Sequence, residues 1–257
     1  MSENIDSTYH GKKIFFLHPS VVVQNHVISE LVQEEFEVYS TKNELKLKQV
    51  LRKYPDSIVF ASINERMKDD TWESWIRGIM GDDVTSDVSI GIIASTENED
   101  DRQKYAELFK VRCGYTVIKS DIAHFNKQLV ALLNSVDAKG RRKFIRLLTE
   151  GETNTTVNIP IDGNFVNGYI KDISVIGFSC SFPDDPDLTK NKLFTDIQIR
   201  LHSQLLNVEG IAYGSRMDKH EKIYVMLFTQ RVKSDTRSKI RKFINSVLQA
   251  RMDFDLK

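Results

Sequence analysis

The rhythm of this sequence changes once, near residue 137. Up to that point short apolar runs alternate with stretches of helical apolar spacing. Beyond it, short runs of alternating apolar and polar residues succeed one another with no helix between them. The first rhythm belongs to strands joined by helical crossovers, hence to a parallel sheet wound right-handedly with helices on its faces. The second belongs to antiparallel strands, which lose their exposed edges by closing into a small barrel. A chain of 257 residues is long enough for two such domains, each burying its own core.

In the first half, Lys13–Leu17 (KIFFL), Phe36–Tyr39, Ser57–Ser62 (SIVFAS), Val88–Ser95 (VSIGIIAS) and Tyr115–Ile118 read as five strands. Helical spacing covers Val21–Glu35, Glu44–Arg52, a stretch around Thr71–Met80, and Glu99–Lys110. Asp121 then caps a helix through Val136, its side chain accepting from the first free N–H groups. Trp72 and Trp75 lie close on one helix face, and core packing outweighs partner docking for them. His10, His18, His26 and His124 show no ligand spacing. Asp82-Asp83 and Glu97–Asp101 (ENEDD) read as a solvated loop and a helix start, where acids offset the dipole.

This layout resembles the response-regulator receiver domain over nearly the whole first half. The resemblance implies the fold without its chemistry. Receivers hold Mg²⁺ on an acidic pair after the first strand, where this chain has His18 and Pro19. They accept phosphate on an aspartate at the end of the third strand, where it has Ala61. Lys119, and Ser95 or Thr96, stand where receivers keep a lysine and a hydroxyl. Without carboxylates these neither bind Mg²⁺ nor form an acyl phosphate, so a pseudo-receiver is expected.

Asp137-Ala138-Lys139-Gly140 stops the last helix on a glycine, with no long linker after it. The expected division is a disordered N-terminus over 1–11, a pseudo-receiver over 12–137 and a second domain over 138–257. At the start of the second domain stands Arg141-Arg142-Lys143-Phe144-Ile145-Arg146, and about 25 residues on Asp172-Ile173-Ser174-Val175-Ile176-Gly177. Six β segments follow the arginines: Thr155–Ile159, Gly168–Ser174, Gly177–Phe182, Ile197–Leu201, Leu206–Tyr213 and Lys222–Thr229. Turn residues Asp162-Gly163-Asn164 and Pro183-Asp184-Asp185-Pro186 separate several of them. A helix over Asp235–Met252 carries Ile240, Phe243, Ile244, Val247 and Leu248 on one face, for the barrel or the neighbouring domain.

An RxxxR segment, here Arg142 and Arg146, and a [D/N]xSxxG segment, here Asp172, Ser174 and Gly177, in this order and at this separation, resemble the two signatures of the PilZ domain. The resemblance implies a six-stranded antiparallel barrel with a terminal helix, and cyclic di-GMP as ligand. The last strand, Ile223–Phe228 (IYVMLF), lacks a glycine that some relatives carry, a departure that bears on the barrel's closing edge.

The chemistry suits that ligand. An arginine fork makes bidentate bonds to phosphate or to guanine O6 and N7, and its flat face stacks on a purine. Asp172 and Ser174, two apart on a strand, point to one face, where the carboxylate accepts from guanine N–H groups. Gly177 permits an approach that a Cβ would obstruct. Arg141 adds a third guanidinium, for a second stacked ligand or for a solvated charge. The reading is a cyclic di-GMP receptor that changes its interdomain arrangement to regulate an unidentified protein partner in motility, envelope or virulence control. A PilZ-like adaptor that binds partner proteins without nucleotide is the alternative.

Other classes fall away. Acidic and basic residues balance, 36 against 36, which disfavours a general nucleic-acid binder. No nucleophile–base pair, metal cluster or Gly-rich phosphate loop marks an enzyme or a cofactor site. No apolar run approaches the roughly 20 residues of a membrane span. The N-terminus has no signal-peptide core, and Cys113 and Cys180 read as buried free thiols, so a bacterial cytoplasmic location is expected.

Overall fold

A computed structural model describes residues 11–64, 69–118, 121–219 and 221–256. Most of the expected disordered N-terminus, with His10, lies outside the described residues, as does Lys119. The chain forms two compact units, Met1–Lys143 with Val247–Lys257, and Phe144–Ser246.

The first unit is the receiver-like one. Strands β1 (Ile14–Leu17), β2 (Val38–Thr41), β3 (Ile58–Ser62), β4 (Ser89–Ala94) and β5 (Tyr115–Val117) pair in the order β2-β1-β3-β4-β5, all parallel. Helix α1 opens as a π-helical turn, Val23–Ile28, and continues through Ser29–Gln33. Then come α2 (Glu44–Lys53), α3 (Asp69–Met80), α4 (Glu99–Arg102, continuing π-helically over Gln103–Leu108) and α5 (Ile122–Ser135). Asp121 caps α5 as expected, accepting from His124 N at 2.9 Å. Asn43 and Asn98 cap α2 and α4 in the same way.

Every residue of β1, β3 and β4 is buried, because apolar layers cover both faces of the sheet. Phe15, Leu17, Val59 and Ala61 face one layer, which holds Trp72 and Trp75 edge to face at 6.3 Å; both tryptophans are core. Ile14, Phe16, Ile58 and Phe60 face the other, with Val27, Leu31, Phe125 and Leu129. Met252 and Leu256 from the end of the chain join Tyr39, Leu47 and Leu51 in the first layer. Nearby, Gln249 meets the edge strand β2 with both ends of its amide. Its Oε1 accepts from Ser40 N at 2.9 Å and its Nε2 donates to Ser40 O at 3.0 Å.

The second unit is the barrel. Its strands are β6 (Leu147–Leu148), β7 (Thr155–Ile161), β8 (Asn164–Ser174), β9 (Gly177–Ser181), β10 (Leu193–Leu201), β11 (Gln204–Asp218) and β12 (Glu221–Phe228). The first half of β8 pairs with β7 and its second half with β9, so six strands close as β8-β7-β10-β11-β12-β9. Asp162 and Gly163 both take positive φ, 50° and 83°, in the two-residue turn between β7 and β8. The closing edge is resolved from the opposite strand: a Cβ on Gly177 would lie 2.2 Å from Met226 O, so glycine on β9 admits β12.

Helix α6 (Ser234–Asp255) ends the chain. Arg237 donates to Val175 O and, at 2.8 Å, to Thr229 O, fixing its start on the barrel. The expected stripe is buried at Ile240, Phe243, Ile244 and Val247. The helix belongs with the barrel to Ser246 and with the parallel unit from Val247. No described helix is long and apolar enough to cross a membrane.

Candidate functional site

The aspartate–serine segment owes its orientation to an irregularity in β8. Ile170 pairs with Cys180, but the next pair is Asp172 with Ser179, leaving Lys171 as the extra residue of a bulge. Ile170 and Ile173 are both buried among the barrel's apolar side chains, so the parity of the strand flips between them. Asp172 and Ser174 are thereby carried to the opposite face, together with Ser179. Thr149 stabilises the bulge. Its N–H donates to Lys171 O at 3.0 Å and its hydroxyl to Ile170 O.

The same stretch sets the arginine. Leu147 and Leu148 pair with Ile173 and Asp172, so Arg146 enters the sheet beside the carboxylate. Arg146 Nε lies 3.5 Å from Asp172 Oδ1, the aspartate side chain 10% exposed and the arginine 42%. Ser179 Oγ donates to Asp172 Oδ2. Ser174 Oγ donates to Gly177 O at 3.2 Å, closing the short turn between β8 and β9. Burial, and then the nearby Asp172 charge, push the Cys180 thiol upward; burial pushes Cys113 to about 11, so both stay neutral thiols.

Of the six expected site residues, the barrel unit brings together Arg146, Asp172, Ser174 and Gly177. Gly177 serves strand closure. Arg141, exposed, and Arg142, half-buried, precede the division and belong with the parallel unit. Ser179 and Thr149 were not foreseen. For Ser179 the signal was its place in the alternating GFSCS run that follows the aspartate; for the bulge it was the spacing of three between Ile170 and Ile173.

Beside Asp172 opens a cavity of about 1090 Å³. Its walls are Tyr169 and Lys171 of β8, the loop after β9, and the hairpin from Arg216 to Tyr224. Asp185 in that loop accepts from the Tyr224 hydroxyl and from Lys222 Nζ, the latter at 2.9 Å. These bonds, the tyrosine's first, hold its carboxyl at about 2. Among the described residues of either unit no cluster of three or more His, Cys, Asp or Glu side chains is placed to hold a metal. In the parallel unit the receiver positions are apolar or capped: Ala61 is fully buried, and His18 is buried against Trp72 with Nε2 at 3.3 Å from Glu44.

No protein-family model matches the chain, and no curated protein matches it significantly. Solved structures similar to parts of it include Escherichia coli YcgR in complex with c-di-GMP, at 14% identity over 46% of this chain and 50% of that one, with a TM-score of 0.39. Another is the PilZ domain of YcgR with c-di-GMP, at 15% identity over 45% of this chain and 98% of that one, with a TM-score of 0.37. A response regulator from Desulfuromonas acetoxidans is similar at 12% identity over 48% of this chain and 98% of that one, with a TM-score of 0.38. The match therefore spans half the length of the YcgR chain. In architecture the chain has a parallel five-stranded unit with helices and a closed six-stranded antiparallel barrel followed by a C-terminal helix.

Proposed function

We propose that this chain is a receptor for cyclic di-GMP and not an enzyme. The observation that carries the reading is Arg146 beside Asp172 on the outward face of β8, at the spacing of the two sequence signatures. One oxygen of Asp172 takes the Ser179 hydroxyl and the other faces the guanidinium. A phosphate can replace that carboxylate as partner of the half-exposed arginine, because the fork fits either oxyanion bidentately. The carboxylate then accepts from guanine N–H groups, while its bond from Ser179 holds it in place. Arg142 supplies a second guanidinium of the signature, and Arg141 a third.

The output is regulatory. Ligand that closes the arginine segment over the barrel favours one arrangement of the two domains, by as much as its affinity differs between arrangements. A protein partner reads the change, in a motility, envelope or virulence response inside the cytoplasm. Calorimetric titration of cyclic di-GMP into the intact protein tests this. Saturable micromolar binding corresponds to about −8 kcal/mol. Arg146→Ala is expected to weaken it by roughly ten- to a hundredfold, the worth of one charge-assisted contact. No binding by the folded protein would leave the nucleotide-free adaptor as the reading.

A further inference from the structure

We propose that the outward face of strands β8, β7, β10 and β11 binds an extended, uncharged glycan along a row of four side-chain amides. Asn167, Asn158, Gln198 and Asn207 stand opposite one another on these four neighbouring strands. The row is ordered from one end. Asn167 Nδ2 donates to Asn158 Oδ1 at 2.8 Å, and Asn158 Nδ2 donates to Gln198 Oε1 at 3.4 Å. Asn167 and Asn207 are exposed; Asn158 and Gln198 are half-buried. Residues two apart on a strand share a face, so Phe165 and Tyr169 flank Asn167 along β8. Each of these rings is 53% exposed. The charges beside the row are Asp196 and Arg200 on β10 and Glu209 on β11, so it has no cationic excess.

These features select among ligand classes. A single-stranded nucleic acid needs a groove of cations along its backbone, which this face lacks. An apolar protein surface would bury the amides against groups that cannot pair with them. Each amide offers two N–H donors and a carbonyl with two lone pairs, and the bonds within the row use only part of that capacity. A sugar ring matches what is left. Its hydroxyls both donate and accept, and its C–H faces lie on aromatic rings. The spacing fits as well. Neighbouring strands are about 4.8 Å apart, so the four amides span roughly 14 Å. One such step is close to the length of a β-linked hexopyranose unit in an extended chain. A linear glycan laid across the strands thus meets one amide per sugar over four sugars. The bonds within the row hold the amides in place before the ligand arrives, which lowers the cost of ordering them. The row shares no residue with the Arg146–Asp172 site, and the glycan site is independent of the cyclic di-GMP reading.

The test is a titration of β-1,4-linked gluco-oligosaccharides of two, four and six units into the full, isotope-labelled chain, followed by the side-chain amide resonances. The six-unit sugar is expected to shift the signals of Asn158, Asn167, Gln198 and Asn207 saturably at millimolar concentration or below. Affinity should rise from two units to four and change little from four to six. Gln198→Ala, in the middle of the row, is expected to weaken binding roughly three- to tenfold, the worth of a hydrogen bond. Phe165→Ala should weaken it by a similar factor through lost stacking. Both positions lie on the outward face, where substitution changes stability little. Should either variant fold poorly, the wild-type amide shifts decide. Unmoved amide signals at millimolar six-unit sugar would overturn the site, and so would binding that both variants leave intact. Shifts produced by a thymidine oligonucleotide and not by the sugars would assign the face to nucleic acid. Shifts that grow with protein concentration alone would assign it to a second copy of the chain. Either result overturns the glycan site.

Discussion

A single extra residue, Lys171, decides what Asp172 is. With strict alternation from Ile170, the aspartate would face the barrel interior, where an unpaired carboxylate is costly. The bulge turns it outward to Arg146 and Ser179. Arg146, Asp172 and Ser174 were legible in the sequence because the motif names them. The bulge, Thr149 and Ser179 were not, because they depend on pairing across strands far apart in the chain. Gly177 is the most demanding residue of the group. Gly177→Ala sets a Cβ against Met226 O, and overpacking of this kind costs roughly 1–3 kcal/mol. A fall in urea midpoint without a change in slope would show it. Asp185 predicts a pH effect. Its folded carboxyl, at about 2, lies below its ordinary value of 3.8. The stabilisation is therefore present above pH 4 and is lost as pH falls from 4 towards 2. Asp185→Asn should flatten that part of the acid-unfolding profile, modestly, since the side chain is 47% exposed and solvent screens it.

Elements were legible where burial writes a period. The five parallel strands and the Asp121 cap lie within a few residues of where pattern puts them, and β2 begins later, at Val38. Helix positions were readable, but not the π-helical turns Val23–Ile28 and Gln103–Leu108, because apolar spacing of three to four suits either winding. Strands β8, β10 and β11 run further than expected, as backbone pairing continues through polar and exposed residues that carry no alternation. The two-residue strand β6, which delivers Arg146, is too short to leave a pattern. Helix α6 offers a paired test. Met252→Ala removes a side chain buried with Tyr39, Leu47 and Leu51 and should cost about 2–5 kcal/mol in chemical unfolding. Phe254→Ala, 78% exposed two residues away, should change stability by no more than about 0.5 kcal/mol.

At the scale of the whole molecule the chain leaves the parallel unit after Lys143 and returns to it at Val247. The expected boundary near residue 137 rests on a helix stop, a local signal. The return is long-range, and the apolar stripe of α6 alone could not say which core each part would enter. That return also bears on solubility. Strand β2 is an edge of the sheet, and Glu37 O and Thr41 O face β1, which turns Ser40's N–H and C=O outward. An outward row of this kind is a template on which another chain can add a strand. Gln249 occupies it as a one-residue mimic of that strand. The tail of the protein is in this respect a guard against fibre-like self-assembly, and any event that lifts it would leave a sticky edge behind.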